Sequence, residues 1–212
     1  EEEIAAVTKR AGLRGVLGQT VIQFPVADAT TPAEGLARAE AFIRQYQDDP
    51  LIVPSVAPHA LYTNAERTLL AARDLAAKYG APLQIHLAET ADEVRMARDR
   101  HRSRPVGYLD RIAFWAPTTL LAARGVGVSH NPESNMKLAS GTAPVPAYLR
   151  AGVKLGLGTD GAASNNDLDM FEAMRQAAFL HKLATGDPRV VSARDALAMA
   201  TRGGARALGM DD

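Results

Sequence analysis

Short apolar runs alternate with longer segments of helical length along most of the chain. The apolar runs are candidate strands, and several are apolar nearly throughout, as expected when both faces of a strand are covered. Repeated strand-and-helix units of this kind are typical of a parallel α/β sheet. We predict five strands, at residues 15–22, 51–56, 83–87, 125–129 and 153–158.

The segments between these strands carry helix-start and helix-stop patterns. Thr31 precedes Pro32, which places a capping hydroxyl before a first-turn proline. A helix over residues 64–79 is predicted to end at Gly80. Two further starts fit the capping box: Thr63 with Glu66, and Thr90 with Glu93. The later helices are predicted over residues 169–184 and, from a cap at Ser192, over residues 192–201.

The predicted elements are fewer than a closed barrel requires. A (β/α)₈ barrel has eight strands and typically about 250 residues, whereas we predict five strands in this chain. The chain therefore encodes either a smaller open sheet or an incomplete barrel. Residues 114–125 bear on this choice, because they leave no room for both a strand and a helix. No linker-like run marks a second domain.

Balanced charge and the lack of cysteine narrow the chemistry. The 24 basic residues equal the 24 acidic residues, so small ligands are expected rather than nucleic acid or a charged membrane. Without cysteine, any metal must be bound by histidine and carboxylate side chains. The absence of cysteine also excludes the nucleobase deaminases whose zinc is bound by cysteine.

Neither a membrane span nor a signal peptide is expected from the sequence. No apolar run approaches the roughly 20 residues that cross a bilayer. The acidic start Glu1-Glu2-Glu3 is the reverse of the basic start of a signal peptide. We therefore expect a soluble, cytoplasmic protein.

The predicted strand at residues 83–87 ends in polar groups. His86 lies at its end, and Glu89 follows just before a predicted helix. Ligands of α/β folds bind at the carboxyl ends of the strands, so both residues are candidates for a site. The alternative is a core histidine bonded to the backbone and a glutamate stabilised by the helix dipole. The spacing by itself leaves both interpretations open.

Asp160 ends the last predicted strand and is followed by Gly161. A carboxylate in this position can bind a metal or orient a water molecule, and nearby glycines permit close approach of a ligand. A turn or a helix cap would use the same residue. Asn165 and Asn166 are open to the same two interpretations.

Two more histidines follow predicted strands. His59 precedes a predicted helix, and His130 precedes an Asn-Pro turn in which a solvent-facing histidine would look the same. Because three strands end in His59, His86 and Asp160, a shared metal-binding pocket is favoured over coincidence. The remaining histidines receive no role: His101, in a charged stretch typical of a solvated helix end, and His181, in an amphipathic helix.

Four segments together resemble the motifs of the amidohydrolase superfamily, in the family's order. They are Pro58-His59-Ala60-Leu61-Tyr62-Thr63, His86-Leu87-Ala88-Glu89, residues 129–141 and residues 158–166. Within the superfamily, the chain is most similar to the S-adenosylhomocysteine/5'-methylthioadenosine deaminases and their chlorohydrolase relatives. The resemblance implies an α/β fold, a (β/α)₈ TIM-type barrel that is incomplete as given. Residues 1–212 would all be part of this single metal-dependent hydrolase barrel.

The resemblance also implies roles for four residues. His86 would be the metal ligand from the fifth barrel strand. Asp160 would be the ligand from the eighth strand and would take the proton of the attacking water. Glu89 would protonate the purine ring, and His59 would contact the nucleoside, so that His59, Glu89 and Asp160 bind the substrate. One divalent ion is implied, zinc first, although such a site also suits iron or manganese.

The implied activity is hydrolytic deamination of an adenosine-type nucleoside, which converts S-adenosylhomocysteine, 5'-methylthioadenosine or adenosine to the inosine analogue and ammonia. The alternatives in the same superfamily are a chlorohydrolase and a deaminase of guanine, a pterin or a triazine. An alternative of another class is a metal-free barrel that only binds ligands. The partner would be a small nucleoside or heterocyclic amine, with no nucleic acid and no membrane, and a homo-oligomer is compatible with the family.

The sequence departs from the family pattern in its metal ligands. The first-strand His-x-His pair and the sixth-strand histidine are missing, as are the small β-domain from both termini and a continuation beyond residue 212. Two of the four expected ligands remain, so we expect the 212 residues alone to be inactive. We predict an internal break within about residues 120–124, where the sixth strand should lie.

Overall fold

The computed structural model describes residues 1–114 and 126–210, which form two compact units. The first unit comprises residues 1–88 and 92–114, and the second comprises residues 89–91 and 126–210. The predicted break at residues 120–124 lies outside the described residues. None of the described helices is both long enough and apolar enough to cross a membrane.

The first unit is built around two parallel strands covered by helices. Its elements are α1 (Glu2–Arg10), β1 (Gly15–Val21), α2 (Pro32–Tyr46), β2 (Ile52–Pro58), α3 (Glu66–Tyr79), most of α4 (Ala91–His101) and α5 (Pro105–Arg111). The two strands pair from Gly15 with Ile52 to Val21 with Pro58. Helices α2 and α3 pack on this sheet, and their contact buries Ile43 fully. The strands predicted at residues 15–22 and 51–56 are therefore confirmed within a few residues.

The predicted strand at residues 83–87 is wrong as a continuous strand. Isolated parallel bridges join Val56 to Leu83 and Ala60 to His86. The backbone N–H of Gln84 donates to the Val56 carbonyl at 2.9 Å, and a regular ladder would next need an N–H at residue 58. Residue 58 is proline, which has no N–H, so the ladder is interrupted there. Pairing resumes one residue later, where the His86 N–H donates to the His59 carbonyl.

Two predicted helix boundaries are confirmed, and a third is wrong because its capping side chain bonds to another residue. Thr31 caps α2, since its hydroxyl accepts a hydrogen bond from the Glu34 N–H at 3.2 Å. Helix α3 ends at Tyr79, and Gly80 takes the left-handed conformation at φ +62°. The predicted cap at Thr63 is wrong, because α3 begins three residues later and the Thr63 hydroxyl contacts His59 instead.

The second unit also contains two parallel strands. Its elements are β3 (Gly127–His130), α6 (Pro132–Lys137), α7 (Val145–Arg150), β4 (Lys154–Leu157), α8 (Met170–Thr185), α9 (Ala193–Ala198) and α10 (Gly204–Ala207), with a π-helical turn between the last two. The strands pair from Gly127 with Lys154 to His130 with Leu157. The predicted cap at Ser192 is confirmed, and it forms a capping box, since Ser192 and Asp195 bond reciprocally at the start of α9.

Glycine allows α10 to approach β4 closely. A side-chain carbon on Gly156 would lie 2.8 Å from the Cα of Gly204, a distance too short for two carbon atoms. An apolar cluster that includes Leu155, Ala177 and Met199 also packs on this strand. Asp160 therefore follows a strand that is well packed on its neighbours.

Candidate functional site

His59 and His86 come together at the carboxyl end of the first unit's sheet. Their ring centroids are 5.0 Å apart and their planes are tilted by 46°. The His86 N–H donates to the His59 carbonyl at 3.0 Å, so the backbone also fixes their relative position. The His86 side chain is exposed, whereas His59 is half-buried. The structure thus brings together two of the four residues that the resemblance singled out.

Thr63 is the hydrogen-bond partner of His59 Nδ1. Its hydroxyl oxygen lies 2.9 Å from His59 Nδ1 and 3.2 Å from the Ala60 carbonyl oxygen. A hydroxyl has one proton to donate, so when that proton goes to Ala60, neutral His59 donates from Nδ1 to the Thr63 oxygen. The lone pair on His59 Nε2 then becomes the acceptor that the ring offers to a ligand.

Polar side chains lie next to this pair in the interior of the first unit. The Gln84 side-chain amide donates to the Ser55 hydroxyl at 2.6 Å, and Ser55 is fully buried. Buried Gln19 likewise donates to the Asp28 carboxylate at 2.8 Å, and this bond lowers the pKa of Asp28. Buried polar groups must be hydrogen-bonded, and these are.

An open cavity of about 520 Å³ lies in the same unit. Tyr62 and Thr63 line it, together with Glu66 and Arg100. Neither His59 nor His86 is among its lining residues, so the cavity is adjacent to the candidate site and does not contain it. His101 also lines it, and this residue is stacked on Tyr108 at 3.8 Å rather than solvated as its charged neighbours suggested.

Asp160 lies in the second unit, just past the carboxyl end of β4. Its side chain is exposed, and its backbone is in the left-handed region at φ +64°, an uncommon conformation for a residue other than glycine. Its Oδ2 accepts a hydrogen bond from the Ser134 hydroxyl at 2.7 Å, and its Oδ1 accepts one from the Gly161 N–H at 2.7 Å. Gly158, just before it, is needed because Asn131 Oδ1 would lie 2.4 Å from an added side-chain carbon.

The two asparagines left open by the sequence hold the loop that follows Asp160. The Asn165 amide group donates to Glu133 Oε2 at 2.7 Å and to the Thr159 carbonyl at 3.0 Å. Lys137 donates to Asn166 Oδ1 at 2.7 Å. Both asparagines therefore fix this loop by hydrogen bonds to side chains of α6.

Glu89 lies between the His86 segment and α4. It is partly exposed and belongs to the second unit together with Asp160, whereas His59 and His86 belong to the first. Helix α4 begins at Ala91, directly after Thr90, in agreement with the predicted start. Glu93, the other half of the predicted capping box, accepts a hydrogen bond from the Ala88 N–H at 3.0 Å.

His130 and His181 form a buried pair that the sequence did not reveal. Their Nε2 atoms are 3.0 Å apart, and the residues are 3% and 1% exposed. The solvent-facing alternative for His130 is therefore wrong. Burial, reinforced by the neighbouring His181, lowers the pKa of His130 to about 4, and burial lowers the pKa of His181 as well. Two neutral rings satisfy each other when one Nε2 donates and the other accepts.

The donor types fit a divalent metal, although the described residues do not complete a site. An imidazole nitrogen from His86 and a carboxylate from Asp160 are donors that zinc, iron and manganese accept. A catalytic zinc site uses three protein ligands. Within residues 1–114 and 126–210, no group of three or more His, Asp or Glu side chains is placed to hold a metal. Further ligands would have to come from outside these residues.

Comparison with curated proteins identifies close relatives along the whole chain. The chain is 45% identical to the 5-methylthioadenosine/S-adenosylhomocysteine deaminase of Syntrophobacter fumaroxidans, over 99% of its own length and 51% of the relative's. The proteins of the same name from Thermodesulfovibrio yellowstonii and Aquifex aeolicus are 42% and 38% identical, with 51% and 52% of their lengths covered. The chain thus spans about half the length of the curated relatives it matches.

Solved structures agree with these relatives. An adenosine deaminase from Xanthomonas campestris with bound zinc is 44% identical and has a TM-score of 0.92, over 98% of this chain and 51% of that one. A guanine deaminase from C. acetobutylicum with bound guanine has a TM-score of 0.84 at 22% identity, over 97% of this chain and 55% of that one, and supports the fold alone. The fold class is therefore that of the metal-dependent TIM-barrel hydrolases, of which the described residues show two partial sheets.

One protein-family model matches nearly the whole sequence. The sequence matches the amidohydrolase family over residues 2–212, in keeping with the motifs around His59, His86, His130 and Asp160. The expected relatives are thereby confirmed, and so is the expected TIM-barrel type of metal-dependent hydrolase. The chain belongs to the amidohydrolase family.

Proposed function

We propose that this chain is part of a metal-dependent hydrolase that deaminates adenosine-type nucleosides. The substrates would be S-adenosylhomocysteine, 5'-methylthioadenosine or adenosine, and the products the inosine analogue and ammonia. The observation that carries the proposal is the similarity to the zinc-bound adenosine deaminase, at 44% identity and a TM-score of 0.92. The curated relatives, at 38–45% identity over almost the whole chain, support the same activity.

The proposed metal ligands from this chain are His86 and Asp160, and zinc is the preferred ion because related structures contain it. When bound, such an ion would supply hydroxide at neutral pH by lowering the pKa of a water molecule from 15.7 to about 7. The His86 and Asp160 side chains are both exposed. The remaining ligands would come from parts of the whole protein beyond the described residues.

The chain's own residues would move the protons of the reaction. Asp160 would take the proton of the attacking water, and Glu89 would give a proton to the purine ring nitrogen. Water adds at the ring carbon that bears the amino group, and that carbon–nitrogen bond breaks to release ammonia. His59 would bind the nucleoside through Nε2, which is the acceptor nitrogen of its ring when Nδ1 donates to Thr63.

A panel of substrates tests the activity. The gene product that contains these residues is incubated with 5'-methylthioadenosine, S-adenosylhomocysteine, adenosine, guanine and a triazine, and released ammonia is measured. We expect ammonia from the adenosine-type compounds. Ammonia from guanine or the triazine alone would contradict the proposal and favour the alternatives within the family. A protein that retains no stoichiometric metal would favour a binding protein without catalysis.

We also propose that the chain is an incomplete version of its protein, with a break within about residues 120–124. In support, the alignment with the Syntrophobacter protein extends over 224 positions although this chain has 212 residues, so the relative has residues without a counterpart here. Intact mass spectrometry of the protein as produced is the test. A mass near twice 22.5 kDa supports the proposal, whereas a mass of 22.5 kDa for an active, zinc-binding protein contradicts it.

The remaining expectations stay predictions. They are a cytoplasmic location, a small nucleoside or heterocyclic amine as the partner, no nucleic-acid or membrane partner, and a homo-oligomer as a compatible state. Size-exclusion chromatography with light scattering measures the last of these directly.

A further inference from the structure

We propose that Ser134 is the positioning residue that fixes the orientation of the Asp160 carboxylate, an inference that rests on the proposed function of Asp160. Ser134 is 4% exposed, and its hydroxyl donates to Asp160 Oδ2 at 2.7 Å. An ionised carboxylate can only accept hydrogen bonds, so the direction of this bond is fixed. A buried hydroxyl from α6 thus anchors an exposed carboxylate that lies 26 residues further along the chain.

The second oxygen of the carboxylate is held from another direction. Asp160 Oδ1 accepts a hydrogen bond from the Gly161 N–H at 2.7 Å. Because each oxygen accepts a hydrogen bond from the protein, rotation of the side chain would break both bonds at once. This arrangement fixes the orientation of the carboxylate.

The backbone around Asp160 is also held by α6. Lys137 donates to the Ala163 carbonyl at 2.9 Å, and Glu133 accepts from Asn165 at 2.7 Å. These two side chains fix the loop that follows Asp160. Ser134 differs from them because its bond ends on the carboxylate itself. A role in orienting the carboxylate is therefore separable from a role in holding the loop.

Loss of the Ser134 hydroxyl is expected to weaken metal binding more than folding. Hydrogen bonds that orient a ligand typically account for 10–100-fold in metal affinity or activity. Ser134→Ala should therefore lower zinc affinity and kcat by about 10–100-fold. KM should change less than kcat, because His59 and Glu89 are assigned to the nucleoside in addition to Asp160.

Three variants of the full protein test this assignment. Ser134→Ala removes the hydroxyl, Ser134→Cys keeps a side chain of similar size with a weak donor, and Ser134→Thr keeps the hydroxyl. The control Thr185→Val removes a hydroxyl whose bond, also 2.7 Å long, ends on the His181 carbonyl. Zinc affinity is measured by competition with a chelator, kcat and KM by ammonia release, and folding by thermal unfolding.

The expected result is loss of zinc affinity and kcat in Ser134→Ala and Ser134→Cys, with recovery in Ser134→Thr if that variant folds and with the control near wild type. Wild-type zinc affinity in Ser134→Ala, or recovery in Ser134→Cys, would overturn the inference, because filling space would then suffice. A wild-type protein that neither binds zinc nor releases ammonia would overturn the proposed function and this inference with it. If the wild type and Ser134→Ala bind zinc with equal affinity, the inference about Ser134 is overturned and the proposed function is not.

Discussion

The His86 N–H donates to the His59 carbonyl at 3.0 Å, and the two imidazole rings lie 5.0 Å apart at the carboxyl end of one sheet. The pairing exists because Pro58 interrupts the regular ladder and shifts the next backbone bond by one residue. Two side chains with different proposed tasks, one for the metal and one for the nucleoside, are thereby fixed together. The tasks can be separated by substitution.

Substitution of the two histidines should affect different quantities. His86→Ala removes a proposed ligand and should lower zinc affinity by more than about 100-fold, since even the groups that orient ligands account for 10–100-fold. His59→Ala should leave zinc affinity unchanged and raise KM about tenfold, as expected for one hydrogen bond worth about 1.4 kcal/mol. Chelator competition and ammonia kinetics measure the two effects. Loss of zinc in His59→Ala with retention in His86→Ala would contradict the assignment.

Thr63 should act through His59. In Thr63→Val the Nδ1–H of His59 loses this acceptor, so we expect the free energy of unfolding to fall by about 1–3 kcal/mol and KM to rise. Urea unfolding and ammonia kinetics measure these changes. Thr201→Val is a matched control, since its hydroxyl bonds the Leu197 carbonyl on an exposed helix. An unchanged KM in Thr63→Val would contradict the proposed acceptor role of His59 Nε2.

The buried pair His130 and His181 should make stability depend on pH. The pKa of His130 is lowered from 6.5 to about 4 by burial and by His181. Above pH 6.5 neither the folded nor the unfolded form carries this proton, and the stabilisation is complete. As the pH falls from 6.5 to 4, the unfolded form takes up a proton that the folded form excludes, so stability falls by on the order of 3 kcal/mol.

Urea unfolding between pH 7.5 and pH 4.5 measures this dependence. His130→Leu removes the titrating ring and should flatten the slope in this window, even if it lowers stability at every pH. A variant whose slope equals that of the wild type would show that other groups cause the pH dependence.

Gly156→Ala should destabilise the second unit. The added carbon would lie 2.8 Å from Gly204 Cα, a backbone atom that cannot turn away, so α10 must shift from β4. Overpacking of this kind typically lowers the free energy of unfolding by about 1–3 kcal/mol. Gly161→Ala is the control, since no atom lies within 4 Å of its added carbon. Equal stability of the two variants in urea would contradict close packing of α10 on β4.

Local patterns predicted the elements whose partners are local. Thr31 caps α2 and Gly80 ends α3 because the groups they bond lie within a few residues. Thr63 failed as a cap because a tertiary partner, His59, engages its hydroxyl, and a capping pattern contains no information about such partners. The 83–87 segment failed as a strand because Pro58 of its neighbour lacks the N–H for the ladder, a signal visible in the sequence once the pairing is known.

The roles of His86 and Asp160 remain predictions from the motifs, whereas the contacts that support the candidate site could not be predicted from the sequence. The His130–His181 pair joins residues 51 positions apart, which no local pattern can connect. A signal was present in α8, where Ala173, Ala177 and His181 recur every four residues and are all buried. The Ser134–Asp160 bond joins segments that follow β3 and β4, so it could not be predicted before the pairing of these two strands was known.

Metal reconstitution of the full protein tests the central claim most directly. The protein is freed of metal with a chelator, zinc is added stepwise, and ammonia released from S-adenosylhomocysteine is measured at each step. The account predicts no ammonia without metal and a rate that rises to a plateau at one zinc ion per chain. Full activity in the metal-free protein, or no ammonia at any zinc load, would contradict it.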